Sequence, residues 1–304
     1  MPEAVGEEQT GIVIVAADSG PLLRACVASV LAESAPLEIV VVDNASNDGE
    51  IEQLAALHVD DARLRIVRND ANLGFGPACN RGAALSRGDV LLFLNPDCEW
   101  RAGTLSAMRG VLDRDPRIGL LGIAVTDPDG MPARGNRRRD PTLRRALLTL
   151  SGLSRLASRW PVLAGVEMPP ASASGDVEFV EAVSGACMML PRAAFERVGG
   201  FDEAYFLHVE DLDLCRRMRD AGLRVAHASR LHVTHAQGSS SRSRPVFVAR
   251  AKHRGMWRYF NKFDPAARNP LLRAIVWCGL WAHFAAQAPL LALRGALRGR
   301  RQPR

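Results

Sequence analysis

The chain has 304 residues, of which 47% are hydrophobic and 24% charged, with a formal net charge of +6 and a pI near 9.4. That is enough for one large domain or two coupled ones with ample length for a core, and the composition is ordinary for a soluble globular protein. The basic excess is local: Arg294, Arg298, Arg300, Arg301 and Arg304 crowd the C-terminus, and Arg134, Arg137, Arg138, Arg139, Arg144 and Arg145 form a second cluster relieved only by Asp140. Such patches suit phosphates, but they lack interleaved aromatics and a binding motif, so no nucleic-acid partner is expected. The six cysteines contain no C-x-x-C pair, which favours buried thiols in a reducing compartment over zinc. The polar, acidic start MPEAVGEEQT is unlike a secretory leader and reads as a disordered segment over residues 1–10 of a cytoplasmic protein.

In chain order, residues 11–15 (GIVIV) form a β-branched run that reads as a buried parallel strand, followed by a helical period over 22–31. A second buried strand over 38–43 ends in the loop and cap chemistry of Asn44–Gly49, before a helix over 50–57 and a strand over 64–67. A loop over 69–76, a helix over 77–86 and a strand over 89–94 complete the first half. This alternation predicts a doubly wound α/β sheet with its ligand at the carboxyl ends of the strands. Polar residues fall there: Asp18, Asp43 and Asn44, Arg68 and Asn69, and Asn95-Pro-Asp97.

The second half continues with a helix over 105–112, a strand over 118–125, a turn at 127–130, and the Arg-rich loop over 134–145. A mobile Pro/Ser/Ala-rich stretch over 168–175 comes next. One strand is expected over 177–189, a short helix over 192–198, a longer helix from Asp211 stopped by Gly222, and a strand over 223–226. Glu210, Asp211 and Asp213 lie just after Phe201, Tyr205 and Phe206. Carboxylates beside aromatics point to a partly desolvated pocket in which one acts as a general base; the same acids also suit a helix start. The sequence has no G-x-G-x-x-G with a downstream acid and no P-loop. A carboxylate-held metal is the usual substitute for handling phosphate.

Several linked motifs carry a resemblance: Val42-Asp-Asn-Ala-Ser46, Asn72-Leu-Gly-Phe-Gly76 with Asn80 and Gly82, Leu92-Phe-Leu-Asn-Pro-Asp97, Val198-Gly-Gly-Phe-Asp-Glu203, Glu210-Asp-Leu-Asp-Leu-Cys215 and His235-x-x-Gly238-Ser. In order and spacing, over residues 11–240, the chain resembles family 2 glycosyltransferases of the GT-A fold. Within them it is similar to the rhamnosyltransferases of bacterial cell-surface polysaccharide assembly. The resemblance implies inverting transfer of a sugar, rhamnose in that subgroup, from a UDP- or dTDP-sugar to a glycan or polyprenyl-linked acceptor.

It further implies Asp211 as the base with Glu210 beside it, and Asp97 and His235 as ligands of Mg²⁺ or Mn²⁺. Asp43 would accept from uracil or thymine, with Asp18, Asn72, Asn80 and Asn95 around the nucleotide-sugar, and Ser184, Gly185 and Asp202 near the sugars. Two departures stand out: Ala16-Ala17-Asp18 replaces a Thr-Tyr-Asn, and Asn95-Pro-Asp97 replaces a D-x-D triplet. Asp97 also suits a helix cap, and His235 a structural hydrogen bond. Residues 11–100 would form the nucleotide-sugar half, 101–245 the acceptor and catalytic half, and 246–304 a helical, basic extension. The apolar run over 271–293, interrupted by Arg273, His283, Gln287 and Pro289, reads as an interfacial helix on the inner face of the plasma membrane, or else as a helix packed on the main domain. A non-catalytic nucleotide-sugar sensor is the alternative function.

Overall fold

The computed structural model describes residues 9–133, 135–169, 177–236 and 244–299. Residues 1–8 of the segment expected to be disordered over 1–10, residues 170–175 of the stretch expected to be mobile over 168–175, Gly238-Ser239 and the last five residues lie outside these; Thr10, against that expectation, is buried and opens the first strand. β1 (Thr10–Ala16), β2 (Leu37–Asp43), β3 (Leu64–Arg68) and β4 (Val90–Leu94) are the four expected strands, separated by α1 (Leu22–Leu31), α2 (Glu50–Leu57) and α3 (Phe75–Leu85). Pro77 therefore sits in the first turn of α3, where its missing N–H costs nothing.

After β5 (Cys98–Trp100) come α4 (Thr104–Arg114), β6 (Ile118–Thr126), β7 (Arg137–Arg138) and α5 (Leu143–Leu150), then 3₁₀ turns at Leu153–Leu156 and Pro161–Leu163. The strand expected over 177–189 is three: β8 (Val177–Phe179), β9 (Ala182–Val183) and β10 (Cys187–Pro191). The break falls at Ser184-Gly185, where the Gly185 amide binds the Asp211 carboxylate instead of a ladder partner. α6 (Arg192–Arg197), α7 (Glu210–Asp220), β11 (Arg224–His235), α8 (Pro245–Phe263), a 3₁₀ turn at Pro265–Arg268 and α9 (Pro270–Gly299) complete the chain.

The main sheet runs β3-β2-β1-β4-β10-β6-β11-β5, with β8 also on β11. β3, β2, β1 and β4 are mutually parallel, whereas β10 is antiparallel to both of its neighbours. The chain leaves β1 for β2 on one side and later returns to β4 on the other. Such a reversal opens a crevice at the strands' carboxyl ends. Alternation along β1 feeds two cores: Ile12, Ile14 and Ala16 pack with α1, α2 and α4, and Val13 and Val15 with α3, α6 and α7. Phe93, Phe195 and Phe201 form an edge-on and tilted aromatic cluster in the second core, with centroids 5.0–5.8 Å apart.

α3 lies close enough to β1 and β2 that a Cβ at Gly82 would sit 2.4 Å from Val13 Cγ1 and 3.1 Å from Val42 Cγ2. Gly82→Ala is expected to destabilise the fold by about 1–3 kcal/mol through overpacking against a β-branched strand, read as a lowered melting temperature.

Candidate active site

Two groups of polar side chains stand at the strands' carboxyl ends. In the first, Asp43 closes β2 and is buried; its Oδ1 accepts from the Ser46 amide at 2.9 Å. Asp18, just past β1 with φ +50°, accepts from the Asn47 amide at 2.7 Å, and its own amide donates to Ser46 Oγ. The 44–48 loop thus ties Asp18 to Asp43 and leaves Asp18 exposed at the rim. Asn44 donates to the Gly74 carbonyl at 3.0 Å and accepts from Asn69 at 2.6 Å, which fixes the entry to α3.

Asn72 and Asn80 are engaged otherwise. Asn72 Oδ1 accepts from the Gly74 amide at 3.0 Å, a turn-forming bond. The Asn80 amide group accepts from the Phe201 N–H, donates to the Phe201 carbonyl and donates to Glu203, each at 2.9 Å. Asn80 therefore clamps the Gly200-Phe201 corner, with both amide hydrogens and one lone pair of its oxygen engaged there. Asp202 is also drawn elsewhere, into ion pairs with Arg258 and Lys262 of α8, each at 2.8 Å.

The second group depends on β11 lying antiparallel to β5, with His235 opposite Cys98. This register sets His235 Nε2 3.0 Å from Asp97 Oδ1 and 3.3 Å from Asn95 Nδ2. Asp97, Cys98 and His235 have ligand atoms within 4.8 Å of one another. The thiol does not complete a soft site: burial and the Asp97 charge push Cys98 well above its ordinary range, and its Sγ contacts the Ala186 carbonyl at 3.6 Å. What remains is a carboxylate, an imidazole and an amide that can turn its oxygen inward, a donor set fitting a borderline-to-hard divalent ion.

The Ser184–Ala186 turn joins this group to α7. The Ala186 carbonyl accepts from the Asn95 amide at 2.9 Å, and the Gly185 amide donates to Asp211 Oδ2 at 3.1 Å. A Cβ on Gly185 would lie 3.1 Å from the Asp211 Cβ, so the absence of a side chain lets the turn sit against the carboxylate. Ser184 Oγ accepts from the Ala186 amide at 3.3 Å and shapes the same turn.

The three acids of α7 separate completely. Asp213 is fully buried and pairs with Arg217 at 2.5 Å and Lys262 at 2.6 Å. Glu210 is buried, and its Oε2 has no hydrogen-bond partner among the described residues. Burial, reinforced by the Asp211 charge, raises its pKa to about 8, so it holds its proton far more tightly than an ordinary glutamate. Burial also acts on Asp211, but the charge and hydrogen bond of Arg138, with the Leu212 amide at 2.8 Å, outweigh it and hold the carboxyl below the ordinary aspartate range. The Asp211 side chain keeps 13% exposure, enough for a ligand hydroxyl to reach it.

In the sequence Arg138 is one member of a basic cluster suited to phosphates, with no partner of its own. Its neighbours are knit into the fold rather than free in solvent: β7 pairs with β9, Arg137 bonds Glu178, and Arg145 bonds Glu181 at 2.6 Å. The usable signal was the strand-like Asn136–Arg138 next to an acid-poor run, but no periodicity survives in two residues.

Residues 11–167 match the family described as "Glycosyl transferase family 2". Residues 176–237 match the "N-terminal domain of galactosyltransferase" family. This chain belongs to glycosyl transferase family 2. It is 30% identical over 271 residues to the N-acetylglucosaminyl-diphospho-decaprenol L-rhamnosyltransferase of Mycobacterium tuberculosis, covering 81% of this chain and 86% of that one. It is 29% identical over 250 residues to the O-antigen biosynthesis protein RfbC of Myxococcus xanthus, covering 78% of this chain and 18% of that longer one.

Among solved structures, GalNAc-T7 with UDP, GalNAc and Mn²⁺ superposes with a TM-score of 0.58 at 18% identity; the match covers 75% of this chain and spans 43% of that one. The mannosyltransferase PcManGT of Pyrobaculum calidifontis, in complex with GDP-Man and Mn²⁺, gives 0.57 at 18% identity, covering 97% and 76%. The mixed sheet with its flanking helices is the GT-A fold of this family, and the chain is a glycosyltransferase.

Two measurements test the electrostatics of α7. Without the Arg138 charge, burial dominates and the Asp211 carboxyl protonates at higher pH; the acid limb of kcat/KM against pH is therefore expected to move upward in Arg138→Ala and return in Arg138→Lys. Glu210 ionises near 4.5 in the unfolded chain and near 8 in the folded one. Between those values the folded state holds the extra proton, so stability falls as pH rises through the window and stays lowered above it. Glu210→Gln, neutral throughout, is expected to raise the melting temperature over wild type more at about pH 9 than at about pH 5.

Proposed function

We propose that the enzyme transfers a sugar, with inversion, from a UDP- or dTDP-sugar to a polyprenyl-linked or cell-surface glycan acceptor, and that dTDP-rhamnose is the donor. The observation that carries this reading is the ionised, partly exposed Asp211 joined by the Ser184–Ala186 turn to the Asp97–His235 pair. The similarity to a rhamnosyltransferase whose name specifies a diphospho-decaprenol substrate supports the donor and acceptor class.

In this mechanism an acceptor hydroxyl hydrogen-bonds to Asp211. Its oxygen attacks the anomeric carbon from the face opposite the nucleotide. As the new C–O bond forms, the proton passes to the Asp211 carboxylate, and the electron pair of the old bond leaves with the diphosphate. One displacement on the opposite face inverts the anomeric centre. Gly185 N–H and Arg138 orient the carboxylate. Glu210 behind it, while it holds its proton, adds no second negative charge beside the base.

Asp97 and His235, with Asn95, would hold a Mg²⁺ or Mn²⁺ ion, whose charge offsets that of the leaving diphosphate. Asp43 accepts from N3–H of the pyrimidine and Asp18 from the ribose or base. Gly185 and Ser184 border the space for the reacting sugars, and Asp202 supports that wall through α8. The catalytic body works on the cytoplasmic face of the plasma membrane, a placement supported by its free cysteines, five of the six buried, and by the apolar α9.

Asp211→Asn keeps the shape and removes the base; turnover is expected to fall at least about a hundredfold with donor affinity retained. Full activity in that variant would remove Asp211 from the role. A panel of UDP-, dTDP- and GDP-sugars assayed with and without Mn²⁺ tests the donor, and a GDP-sugar preference would overturn the pyrimidine assignment.

A further inference from the structure

Two segments of the chain show their apolar side chains to solvent. One is α5 with its two 3₁₀ turns, none of which has a buried residue; Leu147, Leu150, Leu153, Leu156, Trp160 and Val162 are 45–74% exposed. Arg144 donates to the Val162 carbonyl at 2.5 Å and Thr149 Oγ1 accepts from the Val166 amide at 3.1 Å, so the segment folds back as a hairpin. The other is α9, whose most apolar window has no buried residue and which exposes Leu271, Ile275, Trp277, Leu290 and Leu293. The two meet at Asp264, whose Oδ2 accepts from the Leu143 amide at 2.6 Å just before α9 begins.

Charge says what covers them. Residues 141–166 contain no acid and four arginines, of which Arg145 is held by Glu181 while Arg144, Arg155 and Arg159 are exposed, and residues 265–304 contain Arg268, Arg273 and the C-terminal arginines and no acid. Tryptophans stand in both segments, at 160, 277 and 281. A cleft of about 750 Å³ at the junction of α8 and α9 is lined by Trp257, Lys262, Arg268 and Arg273, but by neither Asp211 nor Glu210. Arginine beside exposed leucine and tryptophan, with no acid, complements an anionic headgroup layer over acyl chains.

α9 does not leave the body to cross that layer. His283 hydrogen-bonds His253 of α8 at 3.0 Å, Phe284 packs edge-on against the same ring, and Gly295 lies against Pro245 at the far end. The helix is held against α8, with its apolar side chains between Leu271 and Leu293 exposed on the other face.

We propose that the α5 hairpin and the outward face of α9 form one bipartite surface that lies on an anionic phospholipid bilayer. The hairpin begins five residues after Arg138, the cation on the proposed base, so the bilayer is brought next to the site. The inference deepens the lipid-linked acceptor reading, but its test uses neither donor nor acceptor.

Co-sedimentation of the full chain with phosphatidylcholine vesicles, with and without phosphatidylglycerol, measures the surface directly. Binding is expected to need the anionic lipid and to weaken with salt. Leu147→Glu with Leu150→Glu, and Leu290→Glu with Leu293→Glu, are each expected to weaken it about tenfold or more, with melting temperature and circular dichroism unchanged. Brominated phosphatidylglycerol is expected to quench tryptophan emission, less so in Trp160→Phe. Hairpin variants that bind like wild type, wild type that stays in the supernatant, or a dimer that dissociates in the glutamate variants would each overturn the proposal. Loss of turnover on all donors with vesicle binding intact would fail the transferase reading and leave this one standing.

Discussion

The geometry of the site hangs on a backbone corner. His208 and Val209 both adopt left-handed conformations, with φ of +64° and +77°. For a β-branched residue this is a sterically costly state, of order 1–3 kcal/mol, that persists only when its surroundings dictate it. Here they do. Val209 is buried in the second core, and Gly255 of α8 comes so close that a Cβ there would lie 3.0 Å from both the His208 carbonyl and Val209 Cγ2. The corner sets the phase of the first turn of α7, and that phase sends Glu210 inward and Asp211 to the Gly185 amide.

Holding such a corner needs a rigid brace, which explains why α8 is fastened by charge rather than by apolar packing alone. Lys262 bridges Asp202 and Asp213, and Arg258 adds a second pair to Asp202. Tyr259 reaches Asp140 at 3.0 Å, where Arg216 and Arg219 of α7 also converge. Breaking one member of a buried network strands its partners, so each pair resists change in the others. Asp202 thus contributes to the site by fixing the helix that supports the corner, a role that its place in the Gly-Gly-Phe-Asp-Glu motif did not distinguish from sugar contact.

The first four strands were legible because each is a run of β-branched and aliphatic residues closed by a polar one, and because local alternation and helical period agree. The linked motifs single out Asp97, Asp211 and His235, but not how the fold pairs Asp97 with His235 and ties them through a turn to Asp211. That depends on β5, three residues long, pairing with β11 more than 130 positions later, and no window of local sequence contains such a register. The same limit explains the overlong strand expected over 177–189, where apolar composition continues through a turn that Asp211 imposes from 26 residues away. Arg138 was hidden for a related reason: one arginine among six in its cluster is chosen by a two-residue ribbon, and tertiary contact alone selects it.

The pairing of Arg138 with Asp211 has two opposed effects. It keeps the carboxylate ionised at any physiological pH, and it lowers the affinity of that carboxylate for a proton. In the proposed displacement at an anomeric carbon the first effect dominates. The acceptor hydroxyl is a very weak acid before reaction and becomes a strong one as its oxygen acquires positive charge, so the base need only be present, aligned and unprotonated when that happens. The raised pKa of Glu210 works in the same direction: a second ionised carboxylate there would raise the pKa of Asp211 and leave fewer molecules with the ionised carboxylate that the proposed mechanism needs. The buried acid, with an oxygen that has no partner among the described residues, costs stability, and the arginine costs basicity; together they hold one ionised carboxylate beside the sheet crevice.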